Sequence, residues 1–580
     1  SFGSSRFGRQ LPGTVPLDCK ALPSGEPLAG LMAFAFRLSL FSAILLLGRA
    51  ADPQLEAELA ELEKQFSENH AKIQSMQAER RQLADREPSI YGRSDKLNTR
   101  AYTANENFEG ALTHTWLILC GALVMFMQAG FAMLEAGCCR RKFVQNILLK
   151  NLTDVCIGTW GWWIFGWSIA YSGPYYTDAN GASALKNGFG GHEQFMGHHF
   201  LKDTGIDGNI EPTTTPLNWF FQWAFASAAA TIVSGGVAER VKFPGYVVYS
   251  FILTSFIYPV IVAWTWGYGW LYSVNRTGYM DFAGSGVVHL TGGIAALVGA
   301  IIAGPRRGRF EGLDTAGRRV KETPDKFIPH SQPLIVLGTF ILWFGWYGFN
   351  CGSTLAMDSL EVAFMAAQVA MNTTIAAAAG GLTQFMLRYA MMRKYDLGGM
   401  CSGILGGLVS ITAPCGNVES GSALLIGIIG GIICQAASSG LRVAKIDDPV
   451  DAFAVHGACG IWGVFAAAAF DWGRGLNVAH GWKGFRCPDW KKSTLGCVND
   501  GTGKQSGNLF AANFAEIFAI IAWSGGLSAI IFFILKKAKF LVTADDIQEP
   551  GIDKSKHSPR KGYDINDPFQ EVDDEPLQSI

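Results

Sequence analysis

The chain has 580 residues, of which 49% are hydrophobic and only 16% charged, with a formal net charge of -1. Soluble domains carry about 25% charged residues, so this balance excludes an ordinary soluble domain, and the lack of basic excess excludes a nucleic-acid binder. What remains is an all-α polytopic membrane protein.

Residues 1–50 read as a leader. From Met32 the stretch MAFAFRLSLFSAILLLGRA has an early arginine, an apolar run too short to span, and then small residues. That is a signal-peptide pattern over 32–50, with a cut after Ala50; a twelfth, uncleaved helix is the alternative. Residues 51–104 read as an extracellular helical extension. Leu55, Leu59, Leu62, Phe66, Ile73, Met76 and Leu83 fall near a 4,3 alternation, with Asn69 and Arg80 on seam positions and Pro88 as the stop. The spacing fits a coiled coil of about four heptads, which would imply an oligomer. One amphipathic helix lying on the rest of the protein fits it equally.

A bilayer core takes about 20 apolar residues per helix. Eleven stretches meet this within 105–540: 112–137, 148–172, 217–238, 244–270, 283–303, 332–350, 359–389, 399–414, 420–440, 452–471 and 509–535. The basic clusters CRRK, ERVK, GPRRGRF, GRRVK, MMRKY and LRVAK fall in every second loop, and KKAK opens the tail 541–580. Positive-inside bias makes those loops and the tail cytoplasmic, and puts the N-terminus and the long loops 173–216 and 472–508 outside. Most of the cysteines lie within spans as small apolar filler. Cys487 and Cys497, in an outer loop, are a candidate disulfide. Asn275, in the outer tripeptide NRT, is a candidate glycosylation acceptor. Asn151 and Asn372 sit in similar tripeptides inside or within spans and are discounted.

Two apolar stretches carry an aspartate and a histidine each: DFAGSGVVHLTGGIAAL, with Asp281 and His289, and DAFAVHGACGIWGVFAAAAF, with Asp451 and His456. His289 is in the fifth predicted span and His456 in the tenth. Spans 1–5 and 6–10 therefore read as two inverted five-helix repeats, with the eleventh as an extra helix and a substrate site between the halves. An ionisable side chain in the membrane is costly and faces a cavity or a partner. A lone histidine can equally be a helix-to-helix hydrogen bonder. Two in matching places suit a narrow path for a small hydrogen-bonding molecule, because paired imidazoles can share a proton. A metal or haem site is the rival reading, but no third ligand stands at suitable spacing and no haem-attachment motif is present.

The runs GFAMLEAG, AAATIVSGGVAER, DFAGSGVVHLTGGIAALVGA, LGTFILWFGWYGFNCGSTLA and IDDPVDAFAVHGACGIWG resemble signatures of the ammonium transporter (Amt/Mep/Rh) family, Amt branch, across about residues 105–565. The resemblance implies a homotrimer with a pore through each subunit, eleven spans and an outside N-terminus. It implies ammonium or ammonia as substrate, with methylammonium as an analogue, a lipid bilayer as surroundings, no cofactor, no metal and no enzymatic activity. Phe225, Trp266 and Ser353 match the outer aromatic cage for the cation. Phe225 and Phe349 match the stacked pair blocking the pore, with Phe221 and Trp346 as walls. His289 and His456 match the twin pore histidines. Asp281 matches an aspartate that opens the fifth span and acts through helix capping, field and deprotonation. Asp451 opens the tenth span in the same manner, and structural capping is its expected role. Gly551, Asp553, His557 and Tyr563 match a regulatory tail that touches a neighbouring subunit; Ser555 and Ser558 are candidate phosphorylation sites for a cytoplasmic kinase. The expected activity is deprotonation of ammonium, passage of ammonia, and proton co-translocation, in the plasma membrane. An ammonium sensor signalling through its tail is the alternative, and a conduit for another small neutral gas a further one.

Overall fold

The computed structural model describes residues 104–177, 183–203, 210–211, 213–274, 278–313, 317–470, 506–560 and 562–563. The signal-peptide and coiled-coil expectations, Asn275, Cys487 and Cys497 lie outside the described residues. Residues 105–580 form one compact unit, and the following concerns that unit. It is mostly helical, with three two-stranded hairpins as its sheets among the described residues.

Helical segments overlie all eleven predicted stretches. α1 is Ala104–Cys138. α2 runs Val144–Gly161 and continues through a π turn, Trp162–Gly166, to Trp167–Tyr171. α3 is Thr215–Gly236. α4 runs Phe243–Ile252, with a π turn Leu253–Ile257, to Tyr258–Trp264. α5 opens as a π turn, Ser285–Leu290, and continues as Thr291–Ala303. α6 is Gln332–Gly352, α7 Leu360–Met392, α8 Leu397–Thr412 and α9 Ser420–Val443. α10 opens as a π turn, Phe453–Ala458, and continues as Cys459–Ala469. α11 is Ser506–Ile520, a π turn Ile521–Gly525, and Gly526–Lys537. Two short tail helices follow, α12 (Asp545–Gln548) and α13 (Ile552–Lys556). Among the described residues, seven helices are long and apolar enough to cross a membrane by length and composition; α8 and α10 are shorter apolar helices. α2 is interrupted in hydropathy by Lys150 and Asp154, both wholly buried. Outward positions such as Phe126, Trp160, Phe344, Phe518 and Phe533 are large, apolar and exposed. That is the inverse of a soluble surface and the pattern of a lipid-facing one.

Small residues set the helix spacing. A Cβ on Gly407 would lie 2.2 Å from the Ala376 carbonyl, and one on Gly427 would lie 2.4 Å from the same oxygen, so α7, α8 and α9 pack backbone to backbone. The same device joins α5 to α10. A Cβ on Gly293 would lie 2.2 Å from the Gly457 nitrogen, and one on Gly460 would lie 2.7 Å from the Ser285 carbonyl. Close backbone approach is how helices gain contact where lipid offers no hydrophobic drive.

At the opposite end, the loops after α1, α3, α5 and α9 meet in an ion-pair hub. Glu239 accepts from the Arg140 backbone N–H (2.8 Å) and from Arg306 Nη1 (2.8 Å). Arg306 also donates from Nε and Nη2 to Asp447, at 2.8 and 3.0 Å. The buried Arg240 guanidinium donates to the carbonyls of Gly236 (3.1 Å), Gly304 (2.7 Å) and Asp447 (2.7 Å), neutralising helix C-terminal dipoles. Burial pushes the Glu239 and Asp447 carboxyls up, but Arg306 together with Arg140 on Glu239, and with Arg240 on Asp447, outweighs it, so each lies below the ordinary carboxylate range. The tail packs on this end. Asp553 accepts from the N–H groups of Gln145 (2.9 Å) and Asn146 (3.0 Å) at the start of α2. Lys142 donates to the Glu549 carbonyl, and Tyr563 meets His330 at 3.2 Å. Gly551 has φ 104°, and a Cβ there would lie 2.7 Å from Lys142, so only glycine fits.

Three substitutions test this packing. Gly293→Ala costs about 1–3 kcal/mol or more through overpacking, read as a lower melting temperature in detergent. Gly421→Ala, where a Cβ meets nothing within 4 Å, leaves the melting temperature unchanged or raises it. Arg306→Ala takes from the buried Asp447 its main partner and leaves Glu239 with Arg140 alone, and costs about 3–5 kcal/mol near neutral pH. Depressed carboxyls stabilise the fold above their ordinary range and lose that contribution as pH falls through it. The wild-type melting temperature therefore declines on acidification below about pH 4, and Arg306→Ala flattens that decline.

Candidate functional site

The site begins where the chain turns into α5. Gly284 has φ 106°, and a Cβ there would lie 3.0 Å from the Trp266 ring, so a side chain is excluded twice over. The turn and the π turn after it direct four consecutive N–H groups at one carboxylate. Asp281 Oδ1 accepts from Gly284 (2.8 Å) and Ser285 (2.9 Å), and Oδ2 from Gly286 (2.8 Å) and Val287 (3.0 Å). These are the donors that a helix start leaves without intrahelical partners. The Asp281 backbone carbonyl accepts from Trp266 Nε1 at 3.0 Å, which fixes the indole beside the turn.

From Trp266 an aromatic column runs inward. The Trp266 and Phe225 rings meet edge to face at 6.1 Å, and Phe225 stacks on Phe349 at 4.0 Å. Phe221 tilts against Phe225 at 4.8 Å. Ser353 lies at the end of α6 and donates its hydroxyl proton to the Phe349 carbonyl at 2.8 Å, leaving its oxygen lone pairs for another donor. His289 stacks against both Trp346 (4.9 Å) and Phe349 (5.3 Å). Trp346 is itself held by a hydrogen bond from Nε1 to Thr412 Oγ1, at 2.9 Å. His289 and His456 then meet Nδ1 to Nδ1 at 3.2 Å. Phe131 closes the far side of His456 at 5.9 Å. Phe221, Phe225, Phe349, Trp346, His289 and His456 are all buried.

The shared Nδ1 contact fixes the chemistry of the outer nitrogens. One Nδ1 must donate and the other accept, so the two neutral rings carry opposite tautomers. One Nε2 is then an acceptor and the other an N–H donor. His289 Nε2 is buried with no hydrogen-bond partner among the described residues.

The two halves differ in how their histidine helices start. Asp451 was expected to cap α10 as Asp281 caps α5. Instead Asp448 Oδ2 accepts from the Phe453 N–H at 2.8 Å. Asp451 sits at φ 57°, a turn that points its carboxylate to the Ser438 hydroxyl (2.8 Å) and toward Arg388 Nη2 (4.0 Å). Asn151 and Asn372 are buried and hydrogen-bonded to neighbouring helices, which rules out a glycan on either.

Sequence reading passed over a buried polar group inside the helices. Glu135 Oε2 accepts from Ser234 Oγ (2.9 Å) and Asn151 Nδ2 (3.2 Å). Lys150 donates to the Ser234 carbonyl at 3.2 Å. Asp154 accepts from the Tyr246 hydroxyl (2.7 Å) and Ser250 Oγ (2.8 Å). Glu516 of α11 is likewise buried, close to Asp281 around Gly286. The available signal was an acidic or basic letter inside an apolar run. No three His, Cys, Asp or Glu side chains gather as a metal site among the described residues.

Comparison with known proteins bears on this arrangement. The Ammonium Transporter Family profile matches residues 115–562. Ammonium transporter Amt2 of Archaeoglobus fulgidus is 37% identical over 468 residues, 79% of this chain and 90% of that protein. Ammonium transporter 1 member 1 of Arabidopsis thaliana is 37% identical over 444 residues, 73% of this chain and 80% of that one. Among solved structures, a sensor Amt protein superposes with a TM-score of 0.63 at 30% identity, covering 78% of this chain and 99% of that chain. Saccharomyces cerevisiae Mep2 gives 0.59 at 29% identity, covering 75% and 88%. With its helices, its paired histidines and the profile match over most of its length, this integral membrane chain belongs to the ammonium transporter family.

Proposed function

We propose that the protein is an ammonium transporter that strips the cation of a proton at an outer aromatic cage and passes ammonia, with the proton, along the twin-histidine column. One observation carries the reading: two buried imidazoles in hydrogen-bond contact continue a stack of aromatic rings, with no charged side chain in the stack. Trp266, Phe225 and Ser353 form the cage in this reading. A small cation gains about 0.5–2 kcal/mol over an aromatic face, most over tryptophan. Phe225 and Phe349 are the gate, with Phe221 and Trp346 as walls. Aromatic rings cannot replace the hydration of potassium, because an unpaired buried charge costs far more than such contacts return. Ammonium has an exit that potassium lacks, since it can shed a proton and enter as a neutral molecule. Ammonia is both donor and acceptor, and the opposite tautomers of His289 and His456 offer one partner of each kind. Exchange of both tautomers moves one proton between the rings.

All eleven helices cross the bilayer in this proposal, in two inverted five-helix repeats plus α11, with the hub and tail cytoplasmic and the N-terminus outside. In support, the loops after α1, α3, α5 and α9 converge at one end, and His289 and His456 each sit in the π turn that opens its helix. The assembly proposed is a homotrimer in the plasma membrane, with the tail as the regulatory segment and Ser555 and Ser558 as kinase targets. The curated relatives carry transporter names, which favours transport over sensing.

Currents from proteoliposomes on a solid-supported membrane test the reading. Ammonium pulses give current and potassium pulses give none. His289→Ala lowers the ammonium current at least about tenfold, equivalent to about 1.4 kcal/mol. Equal potassium and ammonium currents in the wild type would reject it. Asp281→Ala frees four N–H groups and lowers both current and melting temperature, at about 1–3 kcal/mol for each group left unsatisfied. Asp281→Asn separates charge from capping: loss of current in a folded protein assigns the role to the charge, and full current assigns it to geometry.

A further inference from the structure

We infer that Glu135 is the proton station at the inner end of the column, a role that rests on the transport reading above. Glu135 lies one helical turn beyond Phe131, the residue packed against His456. It is 1% exposed. Its two oxygens are treated differently. Oε2 is held by Ser234 and Asn151, while Oε1 is buried with no partner. Both Glu135 and His456 line a cavity whose walls are otherwise mostly apolar, among them Leu134, Ile232 and Val455. Its size suits about one water or ammonia molecule. Thr231 also faces it, but its hydroxyl proton is committed to Gln128 Oε1 at 2.6 Å. The carboxylate is thus the free acceptor across the cavity from the inner imidazole. A buried carboxylate needs a compensating charge. Lys150 supplies one through Ser234, whose hydroxyl binds Glu135 and whose carbonyl binds the ammonium group.

The proton inventory closes. The proton removed from ammonium at the cage passes to the His289–His456 pair. His456 gives a proton to the molecule in the cavity, which gives one to Glu135 Oε1; an N–H bond breaks and an O–H bond forms. The next ammonia to arrive takes that proton, the O–H bond breaks, and ammonium leaves while the carboxylate is restored. Each cycle moves one ammonia and one proton.

Two signals from the same proteoliposomes test the assignment: the ammonium current, and lumenal alkalinisation as neutral ammonia enters. Glu135→Gln keeps a carbonyl for Ser234 and Asn151 but cannot carry the proton. The expected result is a current at least about tenfold lower, with alkalinisation appearing that the wild type, which delivers a proton with each ammonia, does not show. Gly235→Ala leaves the carboxylate intact and places a methyl 2.4 Å from Val450 Cγ2 and 3.7 Å from Glu135 Oε1, inside the cavity. It too is expected to lose current. Wild-type current in either folded variant overturns the assignment. Loss of current with no alkalinisation in folded Glu135→Gln also overturns it, because the residue is then structural. A wild type without ammonium current overturns the transport reading itself, and Glu135 with it, so the two failures are told apart by the unmutated protein.

Discussion

The crossing of α5 and α10 is the constraint on which the rest depends. Two imidazoles can share a proton at 3.2 Å only if their helices nearly touch. Gly293 and Gly457 allow that, since a Cβ on the first would lie 2.2 Å from the nitrogen of the second. Gly460 and Gly463 extend the contact along Ser285, one turn before His289. Any larger residue at this seam would separate the rings by more than hydrogen-bond reach. Glycine costs a helix about 1 kcal/mol relative to alanine in water, and in this seam the close backbone packing offsets that cost.

Holding the crossing in place needs order at both ends. At the outer end Asp281 gathers four N–H groups and fixes Trp266 by its own carbonyl. One residue thereby sets the start of α5, the phase of His289 and the position of the outermost ring in the column. At the other end Arg306 and Arg240 bind the termini of α3, α5 and the α9–α10 connection to Glu239 and Asp447. Charges there are buried but hydrogen-bonded, Arg306 to both carboxylates and Arg240 to backbone carbonyls, the condition under which buried ions are tolerated. The docked tail covers the same loops through Asp553 and Tyr563. A change in the tail therefore reaches the starts of α2 and α6 directly.

Much of this was legible in the sequence because apolar length, basic loops and intramembrane histidines each have a one-dimensional signature. Helices over the eleven stretches and the prominence of His289 and His456 follow from such signatures, whereas the capping position of Asp281 came with the family resemblance. Asp451 did not follow, because which nearby aspartate reaches an N–H depends on φ at the turn, and the string DDPVD contains three aspartates. The π turns were invisible for a related reason: a single widened turn leaves the hydrophobic pattern nearly unchanged. Glu135, Lys150 and Asp154 were visible as letters, yet their meaning is a matter of three helices meeting, which spacing along one helix cannot convey.

Comparison of the two carboxylates at the ends of the column shows how a neutral passage can be bounded by charge. Asp281 has both oxygens filled by backbone donors. Both oxygens are thereby committed to holding the turn that opens α5. Glu135 has one oxygen filled and one free. It can take a proton on the free side without giving up Ser234 or Asn151. A carboxylate anchored on one oxygen and open on the other suits exchange, whereas one anchored on both suits attraction. In the proposed mechanism these two arrangements fall where each is used: the cation is drawn in at the Asp281 end of the column, and the neutral molecule recovers its proton at the Glu135 end.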